Sequence, residues 1–474
     1  MGLSSSYFRK IIICYNVIKY GFYSVNKEAQ FKRFFNLSSI ITNYSPRLGA
    51  GFLNAVVKYS LGNYFLLQYL KRDSHLKIKS RNKLEKILVT ADLNIGDAII
   101  AVSSVSALKE ILPDSKIDIV VKKSTKNLIE GNPEVSCIYP VYNGAPFPSE
   151  ADLLKLSNIV RSKNYDLIIN FSPMISDKIF GKNNIINYSL MAAELIRNEF
   201  KNDKVNNIHH LAYRFIGEIF LGNLPAAFGK DFLGSKIYLS GNAVDSAENF
   251  LLSCGIDRYE PVIMFNPDAS SKFTRMPITF QVDLLEGLSE LRCKILLGSG
   301  HVEKFIEQRI INSLSLFARE KVFIIPASMQ LDEYTALIDY SDIFISGDTG
   351  NLHLAAARKY HRNDGLQMRN KTSVFSVFGG TPPKIYAYDS NLPGYLPANQ
   401  DAPSRAFVAA SECRNITCIN KLAKTCREVR CFKPLNPEEI VLAAADRIET
   451  AVENFDQVGR IILKDQIQSY KQIG

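Results

Sequence analysis

The stretch DIFISGDTGNLHLAAARKY (Asp342–Tyr360) predicts a strand that turns directly into a helix. Gly347 and Gly350 leave the backbone of this corner unhindered, so that amide N–H groups converge at the start of the predicted helix Asn351–Lys359. Such a helix start is an anion site, because its first N–H groups have no partner in the helix and its dipole favours negative charge. The corner therefore predicts binding of a phosphate group.

Three polar side chains of the same corner indicate what that phosphate carries. Thr349 adds a hydroxyl donor, whereas Asp348 would repel a phosphate and is expected to bind backbone amides or sugar hydroxyls. His353 lies one helical turn further on, where it either points at a leaving phosphate or packs in the core. Together these residues predict a site for a phosphate that carries a sugar.

A second loop, ADLNIGDAII, follows the predicted strand KILVT and opens a helix. Gly96 allows a substrate to approach the backbone, and the Asp97 carboxylate could accept a proton from an attacking hydroxyl. The alternative is that Asp97 caps the helix, a frequent use of aspartate at helix starts. This stretch by itself favours the cap.

Two further loops lie after predicted strands in the second half of the chain. In FNPDASSKFTRMP, Lys272 and Arg275 stand beside Ser270 and Ser271, a set that suits a diphosphate, although a solvated basic loop is the alternative. In LLGSGHVEKF, Glu303 follows a glycine turn and could bind ribose hydroxyls. The glycine spacing is not G-x-G-x-x-G, so a nicotinamide cofactor is not indicated.

The elements that would position these loops alternate between strand and helix from Lys86 onward. This alternation predicts βαβ units, and its restart near Gly241 predicts two Rossmann-like domains with parallel sheets. TKNLIEGNP is interpreted as a short helix, and Asn436 is expected to cap a C-terminal amphipathic helix. The predicted divisions are a helical extension, two Rossmann-like domains and a final helix, at residues 1–84, 85–240, 241–435 and 436–474.

The basic charge of the chain is concentrated at its N-terminus. The whole chain of 474 residues has a net charge of +10, and residues 1–85 carry 14 Lys and Arg against three acidic residues, a net +11. The remainder sums to −1, which argues against a nucleic-acid groove in the body of the protein. With 46% hydrophobic and 22% charged residues, the composition is that of a globular protein.

The N-terminal extension, residues 1–84, mixes basic and aromatic residues. Lys19 interrupts its first apolar run, which fits a signal peptide poorly, and Lys58 argues against a membrane span over residues 47–71. Polar residues four apart suggest an amphipathic helix on an anionic membrane surface; the alternative is a solvated helix packed on the body. MGLSSS also matches a short myristoylation pattern.

Taken in order, these motifs resemble glycosyltransferase family 9, the ADP-heptose:lipopolysaccharide heptosyltransferase family. The resemblance spans Lys86–Ile440 and rests on LNIGDAII, FNPDASSKFTRMP, ALIDYSDIFISGDTGNLHLAAA and SVFSVFGGTPP. It implies a GT-B architecture, in which an N-terminal acceptor domain and a C-terminal nucleotide-sugar domain face each other across a cleft. It also implies inverting, metal-independent sugar transfer from a nucleotide diphosphate to a hydroxyl, with no cofactor required for catalysis.

The resemblance further implies roles for individual residues. Asp97 becomes the general base instead of a cap, Gly96 lies on the acceptor side, and Lys272 becomes the diphosphate-binding cation. The implied donor-binding set is Ser270, Lys272, Arg275, Glu303, Asp348, Thr349, Gly350 and His353, with Glu303 on the ribose. No two aspartates stand in a D-x-D arrangement, which agrees with metal independence.

The chain departs from the family pattern at several places. Asp268 stands where the family usually has Gly, Met276 where it has Trp, and Asn351 where it often has Pro. Arg358–Lys371 lengthens a link that is usually short, and the basic N-terminal extension is not part of the common pattern. These changes concern the sugar and the nucleobase rather than the reaction type.

Four cysteines form a C-x4-C-x7-C-x4-C cluster near the C-terminus: Cys413, Cys418, Cys426 and Cys431. Four thiolates in so short a segment could bind a structural zinc or iron ion tetrahedrally, and Cys-rich segments recur near this position in family members. A disulfide pair or free thiols are the alternatives. The other cysteines are scattered, which indicates a reducing compartment.

The sequence thus predicts an enzyme that moves heptose or a similar sugar from a nucleotide-diphosphate donor, with ADP-heptose favoured, to a lipopolysaccharide-like or other lipid-linked glycan. It predicts a cytoplasmic location, peripheral on the inner face of the cytoplasmic membrane through residues 1–84, and no nucleic-acid partner. Two alternatives stand beside it: a transferase of the same family that glycosylates a protein, and a non-catalytic GT-B-like scaffold.

Overall fold

The computed structural model describes most of the body of the chain. The described residues are 78, 84–91, 94–142, 149–172, 177–180, 184–187, 208–222, 235–257, 260–269, 274–299, 303, 305–360, 372–379, 381, 383–388, 403–409 and 430–453. The N-terminal extension lies outside them apart from residues 78 and 84, so its amphipathic helix stays a prediction. Within these ranges, no helix is both long and apolar enough to cross a lipid bilayer.

A parallel sheet of five strands organises the N-terminal half. Its strands are β1 Lys86–Ala91, β2 Lys116–Lys122, β3 Cys137–Tyr142, β4 Leu167–Asn170 and β5 Asn184–Asn187, in the order β3-β2-β1-β4-β5. The central strand β1 is almost wholly buried, as expected for an apolar run in a parallel sheet. The strand order reverses between β1 and β4, and ligands bind at such reversals, beyond the carboxyl ends of the strands.

Three helices are described in this half: α1 Ile95–Ile111, α2 Glu150–Lys163 and α3 Ile208–Leu221. Helix α1 is buried along most of its length because it packs against both β1 and α3. Helix α2 begins with a capping box, in which the Ser149 and Asp152 side chains each accept a bond from the other's backbone N–H.

A second parallel sheet, of six strands, organises the C-terminal half. Its strands are β6 Val262–Asn266, β7 Lys294–Leu297, β8 Val322–Ile324, β9 Ile343–Gly347, β10 Ser373–Phe378 and β11 Arg405–Val408, in the order β11-β10-β9-β6-β7-β8. The order reverses between β6 and β9, so these strands end side by side at the predicted corner. The expectation of two Rossmann-like sheets is confirmed.

Eight helices are described in the C-terminal half: α4 Gly241–Ser253, α5 Ile278–Ser289, α6 Ile306–Ser313, α7 Leu316–Lys321, α8 Leu331–Tyr340, α9 Gly350–Tyr360, α10 Pro383–Tyr386 and α11, residues 437–453. Asn436 precedes α11, and its Oδ1 accepts a hydrogen bond from Glu438 N at 3.1 Å. The predicted cap of the C-terminal helix is therefore confirmed.

The predicted helix TKNLIEGNP is wrong. A single 3-10 turn, Lys123–Thr125, forms there and is followed by turns. Asn132 explains the difference: its Oδ1 accepts a bond from Glu134 N at 2.9 Å, and its Nδ2 donates to Lys236 O at 3.4 Å. These local and tertiary bonds to backbone compete with a helix and prevail over its propensity.

The connection between the two halves, residues 235–240, is held from both sides. On the N-terminal side, Ser235 Oγ donates to Ile99 O at 2.5 Å. On the C-terminal side, the fully buried Arg358 donates from Nη1 to Ile237 O at 2.5 Å and forms an ion pair with Asp339 at 2.5 Å. Arg358 thus belongs to the last turns of α9 and does not lengthen the link that follows.

Candidate functional site

The two halves of the protein meet where α1 and α9 begin. A Cβ atom added to Gly350 would lie 2.9 Å from the Gly96 nitrogen and 3.0 Å from Ile95 Cβ. A Cβ at Gly96 would lie 2.9 Å from His353 Cδ2 and 3.1 Å from Gly350 Cα. The two glycines thus permit a close approach of two helix starts, which brings the positive ends of two helix dipoles together.

Asp97 is the third residue of α1, and its side chain is exposed at this junction. The N-cap position belongs to Asn94, whose side-chain oxygen accepts a hydrogen bond from Lys122 Nζ at 3.1 Å. Asp97 therefore does not hold the N-cap position. The first turn of a helix still favours its carboxylate electrostatically.

Asp348 lies between β9 and α9, half-buried and close to Asp97 across the junction. Burial raises the pKa of Asp348 to about 6, a hydrogen bond from the Thr381 side chain lowers it, and the charge of Asp97 raises it further. Asp97 and Asp348 are therefore two neighbouring carboxylates in different environments, one exposed and the other withdrawn from water. Two such carboxyl groups can take different parts in one reaction.

The raised pKa of Asp348 predicts a pH-dependent stability. The folded state favours the protonated Asp348 carboxyl. The contribution of this group to stability is therefore complete below its unfolded pKa near 3.8, and it is lost as pH rises through about 6. Asp348→Asn removes the charged form of this side chain. The substitution should therefore raise the free energy of unfolding more at pH 8 than at pH 5, by about 1–3 kcal/mol. Urea unfolding of both proteins at the two pH values measures this difference. Equal differences at pH 5 and pH 8 would contradict it.

Thr349 holds the N-cap position of α9, where its Oγ1 accepts a hydrogen bond from Leu352 N at 3.3 Å. The same oxygen lies 2.9 Å from Ser346 Oγ, which itself lies 3.0 Å from Gly347 O. Either hydroxyl can be the donor in the contact between Thr349 and Ser346. Thr349 is thus held inside the corner, and its role as a hydroxyl donor to a ligand stays a prediction.

Asn266 ties this corner together, although the sequence did not single it out. Its Nδ2 donates to Ser346 Oγ and to Asp268 O, each at 3.0 Å, and its Oδ1 accepts from Asn351 Nδ2 at 3.0 Å. Asn351, a departure from the family pattern, is thus one partner of this network. The available signal was a polar residue that ends an apolar strand at the reversal of the sheet.

His353 is buried and lies beside the helix junction. Its Nδ1 is 2.7 Å from the hydroxyl of Tyr388, which is itself buried. Burial lowers the pKa of His353 to about 4, so the imidazole is neutral at physiological pH. The residue is packed, as one of the two alternatives drawn from the sequence has it, and it lies next to Gly96. A contact of His353 with a leaving phosphate stays a prediction.

Arg275 is held by protein acceptors on three sides. Its Nε donates to Asp268 Oδ1 at 2.8 Å, its Nη1 to Glu303 Oε2 at 2.9 Å and its Nη2 to Ala269 O at 3.0 Å. Asp268 Oδ2 also accepts from Glu303 N at 3.1 Å, and Arg309 Nη1 donates to Glu303 Oε1 at 3.1 Å. These charged residues therefore form one continuous network beside the corner.

A cavity of about 340 Å³ adjoins this network. Arg275, Glu303 and Arg309 supply its polar wall, and its apolar wall consists of Met276, Pro277, Ile278 and Ile306. Met276, which stands where the family has Trp, is buried.

Comparisons with known proteins bear on the family and the fold of this chain. The family model described as glycosyltransferase family 9 (heptosyltransferase) matches residues 231–362. Lipopolysaccharide heptosyltransferase 3 of Escherichia coli is 23% identical over 316 residues, which cover 60% of this chain and 81% of that protein. Residues 231–362 therefore belong to glycosyltransferase family 9. The similarity of the chain to a lipopolysaccharide heptosyltransferase extends beyond these residues.

Two solved structures show that the fold is that of family 9 members with GT-B architecture. The ADP-heptose LPS heptosyltransferase II of E. coli matches with a TM-score of 0.53 and 16% identity, over 78% of this chain and 99% of that one. A family 9 glycosyltransferase from Veillonella parvula DSM 2008 matches with a TM-score of 0.54 and 15% identity, over 77% of this chain and 97% of that one. The resemblance drawn from the sequence is confirmed at the level of family and fold.

The structure places most of the predicted family 9 site residues near one another. Gly96, Asp97, Asp348, Thr349, Gly350 and His353 meet at the helix junction, and Arg275 and Glu303 lie in the adjoining network. Six predicted residues lie outside the described ranges: Ser270, Ser271, Lys272, Cys413, Cys418 and Cys426. Cys431 is buried near Gly379, whose added Cβ would lie 2.9 Å from its Sγ. The structural metal stays a prediction.

Proposed function

We propose that this protein transfers heptose from ADP-heptose to a hydroxyl of a lipopolysaccharide-type glycan, with inversion at the anomeric carbon and without a metal ion. The observation that carries the proposal is the junction of α1 and α9. It brings Asp97 of one half beside the Asp348–Gly350 corner of the other. A base and an anion site on opposite sides of one cleft suit attack by a hydroxyl and departure of a diphosphate.

On the donor side, the diphosphate would lie at the two adjacent helix starts. Their amide N–H groups and dipoles stabilise the charge that grows on the leaving phosphate as the bond to the anomeric carbon breaks. His353 is neutral at physiological pH and therefore adds a polar contact rather than a positive charge. Lys272 supplies the cation in this proposal, and Glu303 accepts from the ribose hydroxyls.

On the acceptor side, Asp97 takes the proton of the attacking hydroxyl. The hydroxyl oxygen forms its bond to the anomeric carbon on the face opposite the leaving phosphate, so one displacement inverts the configuration. Asp97 suits this role because it is exposed in the cleft, whereas Asp348 is partly withdrawn and resists ionisation below pH 6. Asp348 is assigned to sugar hydroxyls, which hydrogen-bond either form of a carboxyl group.

The names of the relatives support the choice of donor and acceptor. One is a lipopolysaccharide heptosyltransferase, and another is an ADP-heptose LPS heptosyltransferase. The net +11 of residues 1–85 supports a peripheral place on an anionic membrane, where each cation near the surface contributes about 1 kcal/mol. We propose that the enzyme works at the inner face of the cytoplasmic membrane, where a glycolipid acceptor is presented.

A transfer assay with defined donors and acceptors tests the proposal. The full chain is incubated with ADP-heptose, ADP-glucose, GDP-mannose or UDP-glucose and with heptose-deficient lipopolysaccharide, with and without EDTA. We expect ADP release and a mass increase of one heptose on the glycolipid, in the ADP-heptose reaction alone and unaffected by EDTA. The NMR coupling of the new anomeric proton reports inversion.

The other outcomes of this assay are equally informative. Modification of a protein acceptor but not of the glycolipid favours the protein-glycosylating alternative. Absence of donor binding and of transfer with every nucleotide sugar favours the scaffold. Loss of transfer in EDTA that added Mg²⁺ restores contradicts the metal-independent mechanism.

A further inference from the structure

Asp268 and Arg275 form a nearly buried ion pair at the edge of the donor side. The side chains of Arg275 and Asp268 are 12% and 8% exposed, and Arg275 Nε lies 2.8 Å from Asp268 Oδ1. A pair so withdrawn from water is costly to break, because removal of one partner leaves an uncompensated charge. Its geometry is therefore fixed, and Arg275 has a restricted set of directions for its remaining donors.

Those donors are directed at protein acceptors. Arg275 Nη1 donates to Glu303 Oε2 at 2.9 Å, and Nη2 donates to Ala269 O at 3.0 Å. A guanidinium that forks onto a diphosphate presents two parallel N–H groups to it. One N–H of each terminal nitrogen of Arg275 is therefore engaged by a carboxylate or a carbonyl, which fixes the guanidinium beside Glu303. The role of Arg275 as a ligand of the diphosphate stays a prediction.

Glu303 is the residue on which these contacts converge. Asp268 Oδ2 accepts from its backbone N–H at 3.1 Å, Arg275 holds one carboxylate oxygen, and Arg309 Nη1 holds the other at 3.1 Å. The backbone and both side-chain oxygens of Glu303 are thus oriented by charged neighbours. A carboxylate held in this way has one direction, which is what a hydrogen-bond acceptor for a ligand requires.

The Glu303 carboxylate has acceptor positions left for hydrogen bonds from a ligand. A carboxylate offers about four lone-pair positions, and Arg275 and Arg309 occupy one on each oxygen. About one position remains on each oxygen. Two adjacent hydroxyls, as in the 2′,3′-diol of a ribose, match two acceptor atoms of one carboxylate.

We propose that Asp268 and Arg275 are positioning residues that orient the Glu303 carboxylate toward the ribose diol of the donor. This inference rests on the proposed function, in which Glu303 binds the ribose. Asp268 holds Arg275 and the Glu303 backbone, and Arg275 holds the Glu303 side chain. The aspartate at position 268 thereby acts on ribose recognition without touching the nucleotide.

The preference for a donor with a 2′-hydroxyl over its 2′-deoxy analogue tests this inference. KM and kcat are measured with ADP-heptose and 2′-deoxy-ADP-heptose for the wild type, Asp268→Asn, Arg275→Lys and Glu303→Gln. We expect kcat/KM of the wild type to be about 10–100-fold higher with the ribose donor, which corresponds to one hydrogen bond to a charged group. Glu303→Gln should lose that preference, and Asp268→Asn and Arg275→Lys should reduce it at least about fivefold, through KM rather than kcat.

Two further variants separate positioning from a general loss of structure. Arg319→Lys changes an arginine of α7 that donates to the backbone carbonyls of Leu314 and Asn312, and should leave the preference unchanged. Arg309→Gln alters the exposed side of the network, so it is expected to fold normally and to reduce the preference partially. It therefore reports on Glu303 even if the buried variants do not fold.

The possible results distinguish this inference from the proposed function. A wild type that transfers heptose, with Asp268→Asn, Arg275→Lys and Arg309→Gln all at the wild-type preference, overturns the inference and leaves the function intact. A wild type that uses a different nucleotide sugar overturns ADP-heptose as donor. The same ratio is then measured on that nucleotide, because every ribonucleotide carries the diol.

Discussion

Asp97→Asn is expected to lower kcat by about 10²–10⁴-fold, because the asparagine amide cannot take up the proton of the attacking hydroxyl. Affinity for the donor should stay within about twofold of the wild type. The exposed side chain at the start of α1 leaves room for the isosteric amide, so the fold should be unaffected. Steady-state kinetics with saturating ADP-heptose gives kcat, and calorimetric titration of ADP gives the affinity.

Asp114→Asn is the matched control, since Asp114 is an exposed aspartate just beyond the other end of the same helix. It should retain the wild-type kcat. Turnover by Asp97→Asn at the wild-type rate would refute the assignment of the base. The same substitution removes the charge that raises the pKa of Asp348, so the pH at which Asp348 titrates should fall.

Gly350→Ala is expected to remove nearly all activity by separating the two helix starts. The added methyl would lie 2.9 Å from the Gly96 nitrogen and 3.0 Å from Ile95 Cβ, and neither atom belongs to the flexible end of a side chain. Relief therefore needs a backbone shift, which costs about 1–3 kcal/mol. A displacement of about 1 Å between reacting groups lowers a rate by about 10²-fold. Activity and thermal unfolding of the purified variant measure both effects.

Gly241→Ala is the control for this substitution. Gly241 also begins a helix, α4, but a Cβ there would meet nothing within 4 Å. It should leave activity unchanged and raise stability by up to about 1 kcal/mol, because alanine is the better helix former. If Gly350→Ala behaves like Gly241→Ala, the two halves do not need the close approach.

The sequence was sufficient to predict the corner at Asp348 and the two parallel sheets. Runs such as DIFIS and KILVT are short and largely apolar, and a glycine follows the first directly and the second after five further residues. These local signals identify strand ends in α/β folds. The proximity of Gly96 to Gly350 was beyond such reasoning. The two residues are far apart in the chain, and their contact depends on how the two halves pack, which no local pattern encodes.

Individual site residues differ in the same way. Arg275 and Thr349 were predicted from residue type as ligand donors, yet their hydrogen bonds go to Asp268, Glu303 and Ser346. Residue type indicates what a side chain can bind, whereas its neighbours in the fold decide what it does bind. A polar residue at a strand end competes for partners supplied by adjacent strands, and those partners become visible only in three dimensions.

The contact between Arg358 and the connecting segment bears on how the two halves can be recombined. Arg358 and its ion-pair partner Asp339 both belong to the C-terminal half. In the connecting segment, Arg358 donates a hydrogen bond to the carbonyl oxygen of Ile237. Every amino acid supplies that carbonyl. A chimera that joins this C-terminal half to the N-terminal half of another family member therefore keeps the contact whatever residue stands at position 237, provided that the path of the backbone is preserved. If the N-terminal half binds the acceptor, as proposed, we expect such a chimera to change acceptor specificity and to keep its donor.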